Sequence, residues 1–500
     1  MKNNNYKVFL PLLSVFMFCS CNDVLDETPD NRTQIDTLDK VSELLVAAYP
    51  AAIYASFLEP MSDNARDRTA AGSINNRINE EMWNWRDIND INSDTPTNYW
   101  NEVYAAIAQA NQALESLDEL GLIDVEERGE ALICRAYGHY MLVNIFAKAY
   151  NETTSITDLG ITYITKPETT LLPSYSRNTV KEVYDLIQID LVEGLKYIGN
   201  GDAFNKFHFT TKSAHAFASR FYLTKGNWDK VIEHSTAALG TNQDVTTILR
   251  DMVLIEETLS LPEQELRYSS STLEPANLLL AVGSSVYART YRSSRFGLSN
   301  LLRTEVFGTS PLGTGWAYPT FSNSVVNFMP KYDEYFRVTN QAAGIGFAFV
   351  QLPLLTTDEV VLNRAEAYAM LGNLQLCLND LNAVLSNKTD NYTPANNLTI
   401  TSVPVNFEVA DATLYTPFYA IPAASLPFVN VSLIVRKSVF FAEGLRWFDI
   451  KRHNMAVVHD ELSDNGQEVI SSFTLSKEDN RKAIQVPSAA QALGIEPNMR

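Results

Sequence analysis

A helical pattern that occurs twice is the feature that most constrains the fold of this 500-residue chain. The segments 219–239 and 365–385 read SRFYLTKGNWDKVIEHSTAAL and AEAYAMLGNLQLCLNDLNAVL. Aligned without gaps, they share a tyrosine, a Gly-Asn pair, an alanine and a final leucine. Glycine permits the positive φ of a tight corner after a helix, and alanine allows two helices to approach closely. Each segment is therefore predicted to form a helix, a turn and a second helix.

Such a helix pair cannot bury its own apolar face, so it needs neighbours of the same kind. Apolar residues recur at helical spacing in five further segments, which are 38–53, 99–121, 125–150, 177–199 and 357–371. The paired pattern resembles the tetratricopeptide repeat, whose two helices pack antiparallel around a small residue. The predicted fold class is mainly α: a tetratricopeptide-like helical-repeat scaffold with long loop-rich insertions and a few short β-hairpins.

Three irregular regions interrupt the helical segments, at 55–97, 241–355 and 388–432. The first is rich in Asn, Asp, Arg and Trp, and the second carries Gly, Ser, Tyr and Pro. Stretches of this length inside a compact protein are usually either functional or disordered. Their aromatic content argues against disorder, so we expect ordered excursions from the scaffold.

The N-terminus has the features of an export signal. Lys2 and Lys7 accompany an apolar stretch at 8–18, which is shorter than the roughly 20 residues needed to span a bilayer. The stretch ends at Cys19-Ser20-Cys21 and is followed at once by acidic residues. This pattern resembles a bacterial lipoprotein signal in which Cys21 becomes the lipid-bearing first residue. Ordinary secretion with a free Cys21 thiol is the alternative.

The formal net charge of −20 makes binding of nucleic acid or anionic lipid headgroups unexpected, because both depend on clusters of Lys and Arg. Beyond the N-terminal pair, the only cysteines are Cys134 and Cys377, each among apolar residues. A disulfide between them is open, but buried free thiols are the prediction, since an exported protein of this size does not need one.

Five blocks, in their order along the chain, resemble SusD/RagB-type outer-membrane lipoproteins of Bacteroidetes. They read CNDVLDETP, YWNEVYAAIAQANQAL, GEALICRAYGHYMLVNIFAKAY, VLNRAEAYAMLGN and VRKSVFFAEGLRWFDIKRH. The residues that carry the likeness include Trp100, Tyr104, Ile107, Ala110, Asn111, Glu130, Arg135, Ala136, Tyr137, Leu142, Glu443, Gly444, Arg446, Trp447, Asp449 and Arg452. With the ending QVPSAAQALGIEPNM, which resembles the closing segment of the family loosely, the likeness extends from Cys21 almost to the end of the chain.

The resemblance implies a nutrient-binding lipoprotein, held in the cell outer membrane through lipid on Cys21 and facing the cell exterior. It implies capture of oligosaccharides and their delivery to a SusC-like TonB-dependent barrel in that membrane. Oligopeptide capture is the alternative in the same family, and a surface hydrolase or a purely structural lid is a further one. Neither nucleic acid nor any cofactor is expected as a partner.

The same resemblance and the composition shifts suggest a division of the chain. The expected segments are a signal peptide (1–20), a lipid anchor and tether (21–37), an N-terminal SusD-like helical region (38–240) with a binding loop (55–97), a loop-rich variable region (241–355), and a C-terminal helical-repeat and closing region (356–500).

The sequence contains few residue patterns typical of catalysis. Motifs of the G-x-S-x-G and H-E-x-x-H type are absent from the sequence. Asp63 and Asp67 could form the carboxylate pair of a glycosidase, but hydrogen-bonding roles beside arginines are the stronger interpretation. The run DINDINSD at 87–94 lacks the central Gly and final Glu of a calcium loop. We therefore expect no enzyme activity, no catalytic residues and no metal site.

The C-terminal block has charged residues at every third position, namely Glu443, Arg446, Asp449 and Arg452. On one helix this spacing predicts a continuous ladder of ion pairs. We interpret the block as structural.

Binding chemistry is better supplied than catalysis. Sugar rings offer apolar faces to flat aromatic side chains and a rim of hydroxyls to Asn, Asp and Arg, and unpaired polar groups make such a site selective. The predicted ligand-binding residues are Asp63, Asn64, Arg66, Trp83, Trp85, Tyr287, Tyr291, Trp316 and Tyr318. For Trp83 and Trp85 a place in the core is an equal alternative.

Overall fold

The computed structural model is mainly α-helical, as the sequence predicts. It describes residues 35–69, 73–170, 174–201, 205–323 and 326–500. The signal peptide, Cys21 and most of the tether lie outside the described residues, so their roles stay predictions. Among the described residues, no helix has the length and hydrophobicity required to span a bilayer.

Eighteen α-helices are formed by the described residues. They are α1 (Leu38–Leu45), α2 (Ala55–Met61), α3 (Arg77–Trp83), α4 (Pro96–Glu119), α5 (Glu126–Phe146), α6 (Val180–Tyr197), α7 (Thr211–Thr224), α8 (Trp228–Leu239), α9 (Met252–Thr258), α10 (Leu261–Tyr268), α11 (Tyr287–Ser293), α12 (Asn300–Phe307), α13 (Thr357–Met370), α14 (Leu374–Ser386), α15 (Ser402–Asn406), α16 (Leu426–Val439), α17 (Leu445–Arg452) and α18 (Ser488–Ala492).

The strands are short and antiparallel. They are β1 (Arg66–Asp67), β2 (Asn277–Ser284), β3 (Phe296–Gly297), β4 (Phe321–Asn323), β5 (Val326–Phe328), β6 (Glu334–Asn340), β7 (Ile345–Thr356), β8 (Val457–Leu462) and β9 (Val469–Leu475). In the described part of the chain they form one three-stranded sheet in the order β2-β7-β6 and three two-stranded pairs, β1-β3, β4-β5 and β8-β9.

The two repeats form the helix pairs α7–α8 and α13–α14, and they pack against each other through α8 and α13. Their turn glycines have the positive φ that the sequence predicts, +68° at Gly226 and +74° at Gly372. Asn227 caps α8 by accepting a hydrogen bond from the Lys230 amide. The long helices α4, α5 and α6 pack side by side and extend this scaffold.

A single large apolar core runs through the scaffold, and Trp100 and Trp447 belong to it. Cys134 and Cys377 are both buried and both free, which confirms the prediction of unpaired thiols.

The expected ladder of ion pairs within the C-terminal block is wrong in its geometry. Of the expected pairs, only Asp449 with Arg452 forms. Glu443 precedes α17, and Arg446 does not pair with Asp449 although both lie in α17. The other charges reach across to distant elements: Glu443 to Lys331, Arg446 to Asp63, and Arg452 also to Glu366. The block therefore joins α17 to the scaffold and to the first insertion.

The variable region contains more regular structure than its loop-like composition suggests. Segment 277–284 is a full strand, and its partner β7 is twelve residues long. The far ends of β6 and β7 project from the body as a ribbon, with Phe336 and Phe347 each more than half exposed. The described residues of the first insertion form α2, β1, α3, the start of α4 and connecting loops.

Candidate functional site

Two short strands from the two insertions, more than 200 residues apart in sequence, pair with each other. Strand β1 of the first pairs with β3 of the second, with Arg66 opposite Gly297 and Asp67 opposite Phe296. Beside the pair, Arg295 forms a two-point ion pair with Asp67 at 2.7–2.8 Å. This junction fixes the position of α11 relative to α2.

A buried arginine reinforces the junction. Arg68 is 1% exposed, and its guanidinium donates to the Asn327 carbonyl at 2.9 Å and to the Tyr291 carbonyl at 3.0 Å. Burial lowers its pKa to about 9. Among the described residues, no carboxylate pairs with Arg68, and carbonyl oxygens accept its hydrogen bonds. Arg68 therefore holds the backbones of α11 and β5 in place around a cavity.

That cavity, which we call the inter-insertion cavity, lies between α2, α11 and β5. It contains about 670 Å³ of empty space, counting the part that is open to solvent. Aromatic rings form its apolar walls, and these are Tyr287, Tyr291, Phe296, Phe328 and Phe441.

The tyrosine rings face the cavity while their hydroxyls are committed elsewhere. The Tyr287 hydroxyl donates to the Ala442 carbonyl at 2.9 Å, and that of Tyr291 donates to the Met329 carbonyl. The two ring centroids lie 5.3 Å apart, and the Phe328 ring stands edge-on to Tyr291 at 6.4 Å. These contacts hold the rings in place, so the walls are formed before any ligand binds.

Two amide oxygens at the cavity are unsatisfied. Asn64 and Asn327 both line it and are at most 1% exposed. Within the described parts of the chain, Oδ1 of each has no hydrogen-bond donor. The amide nitrogens are used, by Glu59 in the case of Asn64 and by Asn300 in the case of Asn327. A buried acceptor without a donor costs free energy. Both oxygens are covered by protein in this structure, so a ligand hydroxyl or N–H would be favoured there once a small side-chain movement exposed either atom.

Glu59 lies next to these groups and also lines the cavity. Its carboxylate accepts from the Ala442 amide at 2.6 Å, the Gly444 amide at 2.9 Å and Asn64 at 2.8 Å. Burial raises its pKa to about 7, and these hydrogen bonds oppose the rise. Asp94, on the other side of the cavity, is held by Ser285 and the Val286 amide, and burial raises its pKa as well.

Three of the nine predicted ligand-binding residues line this cavity: Asn64, Tyr287 and Tyr291. Two more lie near it in ion pairs. Asp63 forms a two-point pair with Arg446 at 2.7–2.8 Å, and Arg66 pairs with Glu305 and Asp460. Burial opposes ionisation of Asp63, but the charges of Arg446 and Lys437 hold the pKa of its carboxyl well below the usual range.

Trp83 and Trp85 are buried, which agrees with the alternative that placed them in the core. Trp83 is 2% exposed and stacks between Phe296 at 4.2 Å and His459 at 5.0 Å. Trp85 is stacked on the same histidine at 4.2 Å and donates from Nε1 to the Met61 carbonyl. Neither ring has a free face in this structure. Their apolar surface is used to seat the β8–β9 hairpin against the first insertion.

Trp316 and Tyr318 are separate from the inter-insertion cavity. Both are about 5% exposed, and both belong to the large apolar core. Trp316 forms an isolated bridge with Thr389, and Tyr318 packs on Phe307 at 5.7 Å. Burial removes the physical basis for ligand stacking on these rings, since both faces are covered by protein.

Sequence reasoning missed the cavity residues Glu59, Phe296, Phe328 and Asn327. Glu59 lies in a helix and Asn327 in a short strand, and neither carries a motif. No signal in a single sequence connects them, because a fold contact between the insertions brings them together.

The geometry gives no support to the alternative chemistries at this site. Asp63 and Asp67 face separate arginines and do not form an acid–base pair. Among the described residues, no group of three or more His, Cys, Asp or Glu side chains is placed to hold a metal ion. What the cavity offers is stacking walls, unpaired acceptors and a carboxyl group that can be protonated near neutral pH.

Comparison with known proteins shows a similarity to one family in the N-terminal part of the chain. Residues 23–223 match the model of the SusD-like_3 family, described as starch-binding associating with outer membrane. Over these residues the chain is similar to the SusD-like family. Its mainly helical fold agrees with that of solved SusD superfamily structures.

A curated protein similar to this chain is the SusD-like protein P38 of Formosa agariphila. It is 24% identical over 265 residues, a match that spans 50% of this chain and 49% of the relative. The chain therefore aligns with only about half the length of that protein.

Several solved structures share the fold. A SusD superfamily protein of Bacteroides thetaiotaomicron superposes with a TM-score of 0.64 at 17% identity, covering 93% of this chain and 100% of its own. A putative sugar binding protein of Bacteroides vulgatus gives 0.67 at 16% identity, covering 93% and 99%. A laminarin binding SusD-like protein gives 0.53 at 15% identity, covering 92% and 98%. At these identities the likeness concerns the fold alone.

Proposed function

We propose that this chain is a surface-exposed lipoprotein that captures oligosaccharides and delivers them to a SusC-like TonB-dependent transporter in the outer membrane. Lipid on Cys21 would hold it in the membrane with the body facing the cell exterior. The segment boundaries given above, including the variable region at 241–355, are part of this proposal.

The observation that carries the proposal is the inter-insertion cavity in a SusD-like fold. Its rings, among them Tyr291 and Phe328, can cover the apolar face of a sugar. The unpaired Oδ1 atoms of Asn64 and Asn327 can accept from sugar hydroxyls. Names of relatives that mention sugar or laminarin binding support the same ligand class.

Oligopeptide capture is the second candidate. A peptide also supplies N–H donors to the two unpaired amide oxygens, so these atoms alone do not decide between the ligands. The aromatic walls favour the sugar, because a ring with two apolar faces covers more of their surface than an extended backbone. A surface hydrolase is a weaker candidate, since Asp63 and Asp67 are both committed to arginines.

The test is a binding screen of the purified protein against oligosaccharide and oligopeptide arrays, followed by calorimetry of the hits. We expect saturable binding of at least one oligosaccharide class, weakened by Tyr291→Ala. Analysis of the bound sugar after prolonged incubation is expected to show no cleavage.

Binding of peptides alone would replace the oligosaccharide proposal with the peptide alternative. Release of shortened sugars by the wild type would contradict the assignment as a non-enzyme. A matched control is Tyr335→Ala, which removes a tyrosine that is 41% exposed on the β6–β7 ribbon, outside the cavity.

A further inference from the structure

A second pocket carries a concentration of positive charge that is unusual for a chain with a formal net charge of −20. It lies between the end of α5, the loop at 416–418, the end of α17 and the segment 477–483. Five cationic side chains line it, namely Lys148, Lys451, Arg452, Lys477 and Lys482. Three carboxylates also line it, and these are Asp158, Glu478 and Asp479. We call it the lysine pocket.

The carboxylates of the lysine pocket are already engaged. Asp158 pairs with Lys148 at 3.0 Å, and Asp479 pairs with Arg481 at 2.7 Å. Glu478 accepts a hydrogen bond from Asn454 at 2.7 Å. The guanidinium of Arg452 is taken by Glu366 and Asp449, which do not line the pocket.

Three lysines of the pocket are left without a counter-ion. Within the part of the chain that the structure describes, no carboxylate lies within ion-pair distance of Lys451, Lys477 or Lys482. Lys451 is 5% exposed and Lys482 is 7% exposed. Buried charges are normally paired, so these two ammonium groups require an explanation.

Backbone carbonyls account for part of their hydrogen bonding. Lys451 donates to the carbonyls of Asn144 and Ala147 at the C-terminal end of α5, where the helix dipole favours a cation. Lys482 donates to the carbonyls of Met455 and Lys477, both at 2.6 Å. An ammonium group has three N–H donors. One donor of each lysine therefore has no acceptor among the described residues.

The charge of Lys482 also acts on Lys451. Burial, with a smaller contribution from the positive charge of Lys482, lowers the pKa of Lys451 to about 7. Burial lowers the pKa of Lys482 to about 8. An anion between them would relieve both effects, because it attracts each charge and satisfies the two remaining donors.

We propose that the lysine pocket binds a small oxyanion group, a carboxylate or a sulfate, through the free donors of Lys451 and Lys482. Lys477 adds a third positive charge at the same pocket. The rings of Tyr150 and Phe418, 5.5 Å apart, form an apolar part of the wall and suit an oxyanion attached to a sugar ring. The site does not depend on the function proposed for the inter-insertion cavity.

The test is calorimetry of the full chain with sodium sulfate, sodium acetate and sodium glucuronate as probes, at constant ionic strength in chloride and at about pH 6, where both lysines are charged. We expect saturable binding of at least one oxyanion, weakened by about 10-fold or more in Lys482→Gln. Preference for sulfate or for carboxylate identifies the source, and tighter binding of glucuronate than of acetate indicates contact with the rings.

Lys230→Gln is the matched control, because it removes the same charge from an exposed lysine on α8 and should leave oxyanion binding unchanged. Lys451→Gln can fail to fold, so wild-type crystals soaked in selenate provide a second measurement. An anomalous peak within hydrogen-bond distance of both Nζ atoms supports the site. Absence of both heat and peak overturns it, as does equal loss of binding in Lys230→Gln and Lys482→Gln.

Discussion

The helical scaffold and the pair of insertions use similar residues for different ends. In the scaffold, charged side chains such as Arg452 and Glu366 are buried in ion pairs that join elements, and aromatic rings fill the core. At the junction of the insertions, rings such as Tyr291 line a cavity, and the amide oxygen of Asn327 is unpaired. Composition alone therefore does not distinguish structural residues from binding residues. Polar groups that lack a hydrogen-bond partner beside a cavity do distinguish them.

The largest expected effect concerns the scaffold. Arg452→Met leaves Glu366 buried with His453 as its remaining hydrogen-bond partner among the described residues, so we expect a loss of about 3–5 kcal/mol in the free energy of unfolding. Urea denaturation followed by circular dichroism measures it. Arg289→Met, which removes an exposed ion pair with Glu334, should cost less than about 1 kcal/mol. Equal losses in the two variants would contradict the structural role of the buried pair.

Trp316 tests whether a buried aromatic ring contributes to stability and not to ligand binding. Because its ring is buried in the core, Trp316→Ala should lower the free energy of unfolding by about 3 kcal/mol or more. Glycan affinity of the folded variant should stay unchanged. The control is Phe336→Ala, which removes a ring that is 58% exposed. A stable variant with weakened glycan binding would return Trp316 to the binding site.

Tyr291 tests the insertion side of the comparison. Tyr291→Ala removes a wall of the cavity, and we expect glycan affinity to fall by about 1 kcal/mol or more, as loss of a stacking ring does. Tyr291→Phe keeps the ring and should retain most of the affinity, although it loses the bond to the Met329 carbonyl. Calorimetry with the best oligosaccharide from the screen measures both. Equal affinity in all three proteins would exclude this wall from the site.

Glu59 tests the insertion side through the pH dependence that its carboxyl group contributes to stability. Its pKa rises from 4.5 to about 7 on folding, so its proton stabilises the folded state below pH 4.5, and that contribution is lost as the pH rises to about 7. Glu59→Gln should therefore reduce the fall in unfolding free energy between about pH 4.5 and about pH 7. The exposed Glu43→Gln is the control, and an unchanged slope in Glu59→Gln would show that Glu59 is not buried as described.

Much of the scaffold could be predicted from the sequence, because helical periodicity and the turn glycines Gly226 and Gly372 are local signals. The candidate site was predictable only in part. The insertion boundaries indicated Asn64, Tyr287 and Tyr291, but whether a ring faces a cavity or the core depends on partners far away in sequence. Trp83 is covered by His459, a residue 376 positions later. The sequence around Trp83 contains no signal that predicts this contact.

The central claim is that the inter-insertion cavity holds the captured ligand. A crystal structure of the protein with the tightest oligosaccharide from the screen tests it most directly. We predict that this crystal structure shows a sugar ring against Tyr291 and Phe328, with sugar hydroxyls donating to Oδ1 of Asn64 or Asn327. An oligosaccharide bound on another surface, with the inter-insertion cavity free of sugar, would contradict it.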